Sequence, residues 1–304
     1  MLSKSLERKF DRIKKSEEAG QNGKQTMNRS LRKLLKNKLA IVGIAIFAII
    51  LLAAILAPLL TKYDPLTVDM QNVLQGPSKD HLLGTDKIGR DIFSRILYGG
   101  RISILVGLGS ALGASFIGVT LGAYAGYKGG LIDSIVLRIS EIFMAFPQIV
   151  LVLLLVTILG QSLSNLLIIF IATGWGSVYR MTRSKMLSIR EEEYVQALKA
   201  FGLNDFIVCY KHMLPNAIGP ILVNITLSTA MFILEEASLS FLGLGVPLEI
   251  ATWGNILNAA QDQGVLLNNW WIWLPVGLVI SLFVVSVNFM GDGLRDSTDP
   301  TQQG

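Results

Sequence analysis

At 304 residues the chain could form one large domain or two small ones, but only 16% of it is charged, against roughly one quarter in soluble proteins, and 51% is hydrophobic. That balance points to lipid. The net charge of +5 comes from basic residues gathered in the first 38 positions and beside apolar runs, with no basic and aromatic groove, which argues against nucleic acid as a partner. One cysteine, Cys209, excludes an internal disulfide and a multi-cysteine zinc site; two histidines, His81 and His212, are too few for a histidine cluster, so no metal site is expected.

A bilayer core about 30 Å thick takes roughly 20 apolar residues in a helix, so uncharged runs of that length mark the spans. After a polar, basic tail over 1–38, the run Leu39 to Leu60 predicts a first transmembrane helix at 39–60. No small-residue cleavage pattern follows it, which argues against a cleaved signal peptide. An outer loop over 61–101 comes next. In it Ile92, Phe93, Ile96 and Leu97 form an apolar stripe flanked by Arg90, Asp91 and Arg95, predicting a short interfacial helix capped by Thr85 or Asp86. Its role is to seal the outer end of the bundle or to touch substrate.

The core, 102–291, carries five further spans, and a tail over 292–304 ends the chain. Ile102 to Tyr127 is the second span, with Gly118, Gly122 and Gly126 at four-residue spacing after Gly109 and Gly113. Such a small face lets helices approach closely, within one bundle or between subunits. Ile142 to Tyr179 is uncharged but twice too long for one span, and Gly160-Gln161-Ser162 predicts a tight turn between two helices. Leu214 to Leu234 and Trp270 to Gly291 complete six. Glu235 and Glu236 fall where the fifth span emerges and read as interfacial, hydrogen-bonded groups, one of them available to a substrate amine or a partner. Trp270-Trp271-Ile272-Trp273 puts aromatics at headgroup level before the sixth span.

Twelve basic residues lie in the amino-terminal tail and nine more in the segments on the same side, against six in the outer loop, which places both termini in the cytoplasm. The same bias puts EEEYVQALKAFGLNDFIVCYKHMLPN, Glu191 to Asn216, in the cytoplasm between spans four and five. Tyr194, Ala197, Leu198 and Phe201 recur at helical spacing, and Glu191, Glu192 and Glu193 suit the positive end of a helix. Gly202 predicts a left-handed stop, Asn204 or Asp205 a cap for a second helix running to Leu214, and Pro215 the first turn of the next span. The result is two short helices below the membrane with an apolar face turned to the chain's own underside or to a partner.

Gln196-Ala197-Leu198, three residues, Gly202, nine residues, His212, Met213 and Leu214-Pro215 resemble the EAA loop of ATP-binding-cassette importer permeases. Ala197, Gly202, Leu214 and Pro215 match that pattern, whereas Gln196, Leu198 and His212 depart from it. LLGTDKIGRDIFSRILYGGRIS (82–103), EEASLSFLGLGVPLEIATWGN (235–255) and GDGLRDSTDP (291–300) are similar to the C-type permease subunit of oligopeptide and dipeptide importers. The resemblance implies an all-α integral membrane permease of the type I importer fold with six transmembrane helices. It implies a coupling loop over 187–215 that docks on a separate ATPase, with Glu193, Gln196, Ala197, Leu198, Phe201, Gly202, Leu203, Asn204 and Asp205 at the contact. It further implies a second homologous permease chain, two ATPase subunits that bind ATP and magnesium, an extracytoplasmic substrate-binding protein and a bacterial inner membrane. Peptides are the implied substrate; nickel, metal-chelate and glutathione importers share this subunit type.

No G-x-x-x-x-G-K-[ST] run is present; Asn22-Gly23-Lys24-Gln25 lacks the spacing, the hydroxyl residue and a preceding strand, so ATP is expected on another chain and no cofactor on this one. Met290-Gly291-Asp292-Gly293 offers one aspartate without a partner, against an intramembrane protease. An ion-coupled carrier would place charged groups within its spans, which the six uncharged runs lack. Asn224, Thr226, Ser228 and Met231 in span five are the candidates for lining a pathway, or for packing between helices.

Overall fold

The computed structural model describes residues 33–35 and 37–298; most of the basic tail, the Asn22-Gly23-Lys24-Gln25 run and the last six residues lie outside them. The described chain is helical apart from loops and one isolated bridge between Thr85 and Asp91. Helix α1 is Lys38–Ile55, opened by Asn37, whose side chain accepts from the Leu39 and Ala40 amides. It is apolar all round, and only Ala40, Gly43 and Ala54 are buried along it. Burial in lipid explains that composition, because a helix with no polar stripe has no side that prefers water.

Helix α2 runs unbroken over Ile92–Lys128 and is capped by Asp91, which accepts from the Ser94 amide at 2.8 Å. The expected interfacial helix is therefore the first turns of α2. Asp86, expected as a cap, instead binds the Ile88 and Arg90 amides and the Arg90 and Arg95 guanidinium groups. Arg95 is almost wholly buried, and this outer loop lies folded over the end of the bundle. Trp271, expected at headgroup level, donates from its indole to the Thr85 carbonyl and so anchors the loop, while Trp270 stays exposed. Lys87 reaches Asp262 at 2.7 Å and holds that carboxyl below the usual carboxylate range.

Helices α3 (Gly130–Met144) and α4 (Gln148–Leu159) are long and apolar enough to enter a membrane only as a pair, and the chain bends by 85° between them at Ala145–Pro147. The expectation of a single helix beginning near Ile142 fails here because Pro147 has no amide hydrogen and disfavours helix in the residue before it. The Gly160-Gln161-Ser162 turn is as expected, with Gly160 at φ 85° and Ser162 capping helix α5, Leu163–Arg190. The small face of α2 packs along α5. A Cβ on Gly118 would sit 2.7 Å from the Trp175 carbonyl, one on Gly122 2.7 Å from the Tyr179 carbonyl, and one on Gly126 2.8 Å from that of Arg183. Of the two roles open to that stripe, packing within the chain's own bundle is the one the structure uses.

Helix α6 is Glu193–Ala200. The chain from Asp205 to Phe241 is then one helical run rather than two separate helices. It passes through a π-helical stretch, Val208–Met213, and a 3-10 turn, Leu214–Ala217, before α7, Ile218–Phe241. Pro215 explains the irregularity: with its own donor missing and its ring crowding the preceding turn, the ladder widens, and the Leu214 amide bonds the Cys209 carbonyl five residues back. After α8 (Trp253–Leu257) and α9 (Gln263–Asn268), α10 covers Trp270–Thr298.

Four helical runs among the described residues are long and apolar enough to cross a membrane, and the bent α3–α4 pair makes a fifth. Helix α5 has 28 residues, largely apolar in its first half, while its second half carries Arg180, Arg183, Lys185 and Arg190. It packs in the all-α bundle, where the sequence expects a sixth span. Asn37 donates to Asp296 at 3.1 Å, joining the start of α1 to the last turns of α10 on one side of that bundle.

Candidate functional site

The insert after α5 is short, and its end geometry follows from Gly202. Its φ of +73° lies in the left-handed region, where a Cβ is costly and glycine is not. Chain reversal there lets the Leu203 amide bond the Leu198 carbonyl at 3.3 Å and the Gly202 amide bond that of Lys199 at 2.9 Å, closing the orphan carbonyls of α6. Asn204 accepts from the Phe206 amide at 2.8 Å and starts the next run, as its type and position predict.

The apolar stripe splits between two sides. Val195, which periodicity had not singled out, is fully buried with Met186, Val208, Cys209 and Met213, and Leu198 and Leu203 pack against the same cluster. Leu198 and Leu203 therefore serve the insert's attachment, whereas a docking surface was expected of them. The alternative stripe Val195, Leu198, Lys199 at i, i+3, i+4 was present in the sequence; nothing local says which stripe the bundle covers. Tyr194, Ala197, Phe201, Phe206 and Ile207 point outward, with Phe201 77% and Phe206 63% exposed. Glu193 and Asn204 are exposed as well.

Polar contacts pin the insert to three helices. Asp205 accepts from the Tyr127 hydroxyl at 2.6 Å and from Lys128 at 2.7 Å, both at the end of α2, so this residue holds the insert to its own bundle. Lys199 lies over the Tyr127 ring at 4.9 Å. Gln196 donates to the Arg190 carbonyl at the end of α5, and Asn216, ahead of α7, donates to the Tyr194 hydroxyl at 2.8 Å. Beside this, Asp133 on α3 binds Arg183 and Tyr179 on α5. The insert is thus tied directly to the ends of α2 and α5 and to the residues ahead of α7.

The pathway candidates also divide. Thr226 hydrogen-bonds the Val223 carbonyl and packs against Gly291, so it fills the α7–α10 contact. Asn224, Ser228 and Met231 fall along one edge of α7, Asn224 and Ser228 partly buried, with Ser228 donating to Asn224 at 3.3 Å and Met231 58% exposed. Four residues on from Met231 the same side carries Glu235. Because α7 continues to Phe241, Glu235 and Glu236 lie within the helix instead of at its mouth. Glu236 is fully buried, accepting from Ser103 at 3.2 Å and Ser240 at 2.8 Å, and Ser103 in turn accepts from the Trp253 amide. The uncharged run ended too early as a marker of the span, since serines on neighbouring turns make a carboxyl tolerable there.

Residues 118–301 match the family described as binding-protein-dependent transport system inner membrane component, and residues 26–77 match the N-terminal transmembrane domain of oligopeptide transport permease C. The chain belongs to this permease family of ATP-binding-cassette importers. It is 45% identical over 271 residues to the dipeptide transport system permease protein DppC of Alkalihalophilus pseudofirmus, covering 89% of this chain and 88% of that one. It is 40% identical to the oligopeptide transport system permease protein OppC of Bacillus subtilis, covering 89% and 88%. In three dimensions it resembles a chain of the inward-facing MetNI methionine transporter, with a TM-score of 0.53 at 18% identity, over 67% of this chain and 96% of that one. That likeness supports the importer permease fold. This permease is thus a multi-pass membrane protein of an importer type that works with ATPase partners.

Proposed function

We propose that the chain forms half of the translocation pathway of an ATP-driven peptide importer and takes its drive from a separate ATPase through the outward side of α6 and the turn after it. The observation that carries this reading is the contrast in the insert: Phe201 and Phe206 largely uncovered, while Val195, Gln196, Asp205 and the Tyr194 hydroxyl tie the same segment to the bundle. A short helix with an open apolar face suits a groove on a partner, and a rigid attachment passes the partner's movement on. Glu193, Ala197, Gly202 and Asn204 frame that contact.

The resemblance extends the assembly to a second homologous permease, two ATPase subunits holding ATP and magnesium, and an extracytoplasmic binding protein that delivers substrate. This chain contributes no ATPase site and holds no cofactor. It lies in a bacterial inner membrane with both termini cytoplasmic, in keeping with the basic tail and the Asn37–Asp296 contact. The names of the similar permeases favour peptides as the substrate.

Uptake of a labelled dipeptide into proteoliposomes holding the whole assembly tests the proposal. It should require ATP on the insert side and survive an uncoupler. Uptake abolished by the uncoupler at constant ATP would contradict it.

A further inference from the structure

Glu235 is an acidic residue at membrane depth without a basic partner among the described residues. Its carboxylate accepts one hydrogen bond, from the Gln148 amide group at 3.1 Å, and the side chain is only partly covered. Its neighbour Glu236 is a different case, closed in by Ser103 and Ser240 with no exposure. An ionisable group inside a span is costly unless it meets a partner or a polar cavity, so an unpaired one marks a functional position.

Two features beside it indicate which partner is missing. Gln148 is the first residue of α4, directly after the 85° break at Ala145–Pro147. Backbone that leaves the helix at membrane depth needs water or protein around it, because lipid cannot satisfy its carbonyls, and broken helices in transporters commonly border the substrate's route. One edge of α7 is also mixed in character: Asn224, Ser228, Met231 and Glu235 follow one another at helical spacing, Met231 exposed and the other three partly covered, beside the exposed Leu222, Leu227 and Leu234. The open side of α1, by contrast, is formed by Leu39, Ile41, Val42, Ile49 and Leu52, as a lipid-facing side should be. Helix α7 thus carries a polar edge beside its exposed apolar side chains, whereas α1 has no polar residue along it after Lys38.

We infer that Glu235, oriented by Gln148, receives the α-ammonium group of a peptide as it crosses. The inference rests on the peptide-import reading given above. The amine end is one of the few features that peptides of different sequence share, so a single fixed carboxylate serves many side chains while Met231 offers a soft apolar contact beside it.

The test uses the complete reconstituted transporter with its own binding protein and compares initial ATP-driven uptake of one tripeptide with a free amine and with an acetylated amine. The binding protein is the same in every arm, so a change in the free-to-acetylated ratio belongs to the permease. Glu235→Gln should lower the ratio about tenfold, the usual scale for losing a hydrogen bond to a charged group. Glu235→Asp should recover part of it. Gln148→Lys, which leaves the carboxylate in place but supplies an internal cation, should lower the ratio as Glu235→Gln does, and it serves if the first variant is absent from the membrane. A wild-type ratio in Glu235→Gln, or in Gln148→Lys where only that variant is recovered, overturns the inference. So does loss of the second permease chain from purified Glu235→Gln, which would mean that the carboxylate's partner is a basic group on that chain. Failure of the wild-type assembly to take up either tripeptide would instead count against peptide import itself.

Discussion

On one side of α6, Val195 is closed off from solvent and Leu198 and Lys199 lie against the bundle, whereas on the other Ala197 and Phe201 are exposed and Tyr194 is covered only in part, its hydroxyl held by Asn216. The same eight residues thus form an attachment and a free surface, less than one helix diameter apart. The attachment side has a buried aliphatic and a cation over an aromatic ring, and Gln196 donates to the carbonyl at the end of α5. The free side has aromatic groups and no ion pair. A segment meant only to cover the underside of the bundle would turn its aromatics inward, because each exposed large ring forgoes burial worth about 1.5–3 kcal/mol. The difference indicates that the outward rings are held for another chain.

Disturbing the attachment side should have the largest effect. Val195→Asp places an unpaired carboxylate in a closed apolar cluster, at a cost of about 3–5 kcal/mol, a large part of the stability of a typical domain. The insert should come away from α2 and α5. Protease cleavage near Phe201 in inside-out vesicles should rise sharply, and ATP-driven uptake should be lost even where the spans remain inserted.

Gly202→Val tests the angle between the two sides. A β-branched residue at φ +73° is strained by about 1–2 kcal/mol, and a Cβ there meets no neighbour, so the strain is purely local. Permease abundance in the membrane should stay near normal while uptake falls several-fold, as judged by immunoblot and transport on the same vesicles. The smallest effect belongs to an exposed charge on neither side. Lys211→Glu should leave abundance and uptake within experimental scatter, since an exposed charge contributes little. Lys199 would be a poor choice for that comparison, because it lies over the Tyr127 ring.

What the sequence revealed and what it concealed follow from how local each feature is. Gly202, Asn204 and the Gly160 turn were legible because their conformations are set by the residue and its immediate neighbours. The α3–α4 span was not, for its first half contains Asp133, Arg138 and Glu141 and fails any search for uncharged runs. Asp133 is accommodated by Arg183, fifty residues away, and Glu236 by Ser103, over a hundred away; no window on the sequence contains both members of either pair. Val195 was missed for a related reason. Leu198 belongs both to the apolar stripe with Tyr194, Ala197 and Phe201 and to a second face with Val195 and the stem of Lys199, and only the packed bundle determines which of them it covers.

The outward rings give the most direct test of the coupling account. Phe201 is 77% exposed, so Phe201→Ala removes almost no contact within the chain, and its effect on permease stability should fall within about 0.5 kcal/mol. If the ring fills a groove on the ATPase, its loss should weaken docking on the scale of an interface hot spot, about tenfold or more. With a tagged permease purified from membranes expressing the whole assembly, the account predicts normal permease yield with strongly reduced ATPase subunit bound to it. ATPase recovered at the wild-type ratio on the Phe201→Ala permease, together with normal ATP-driven uptake, would contradict the claim that this side of the insert is where the drive enters.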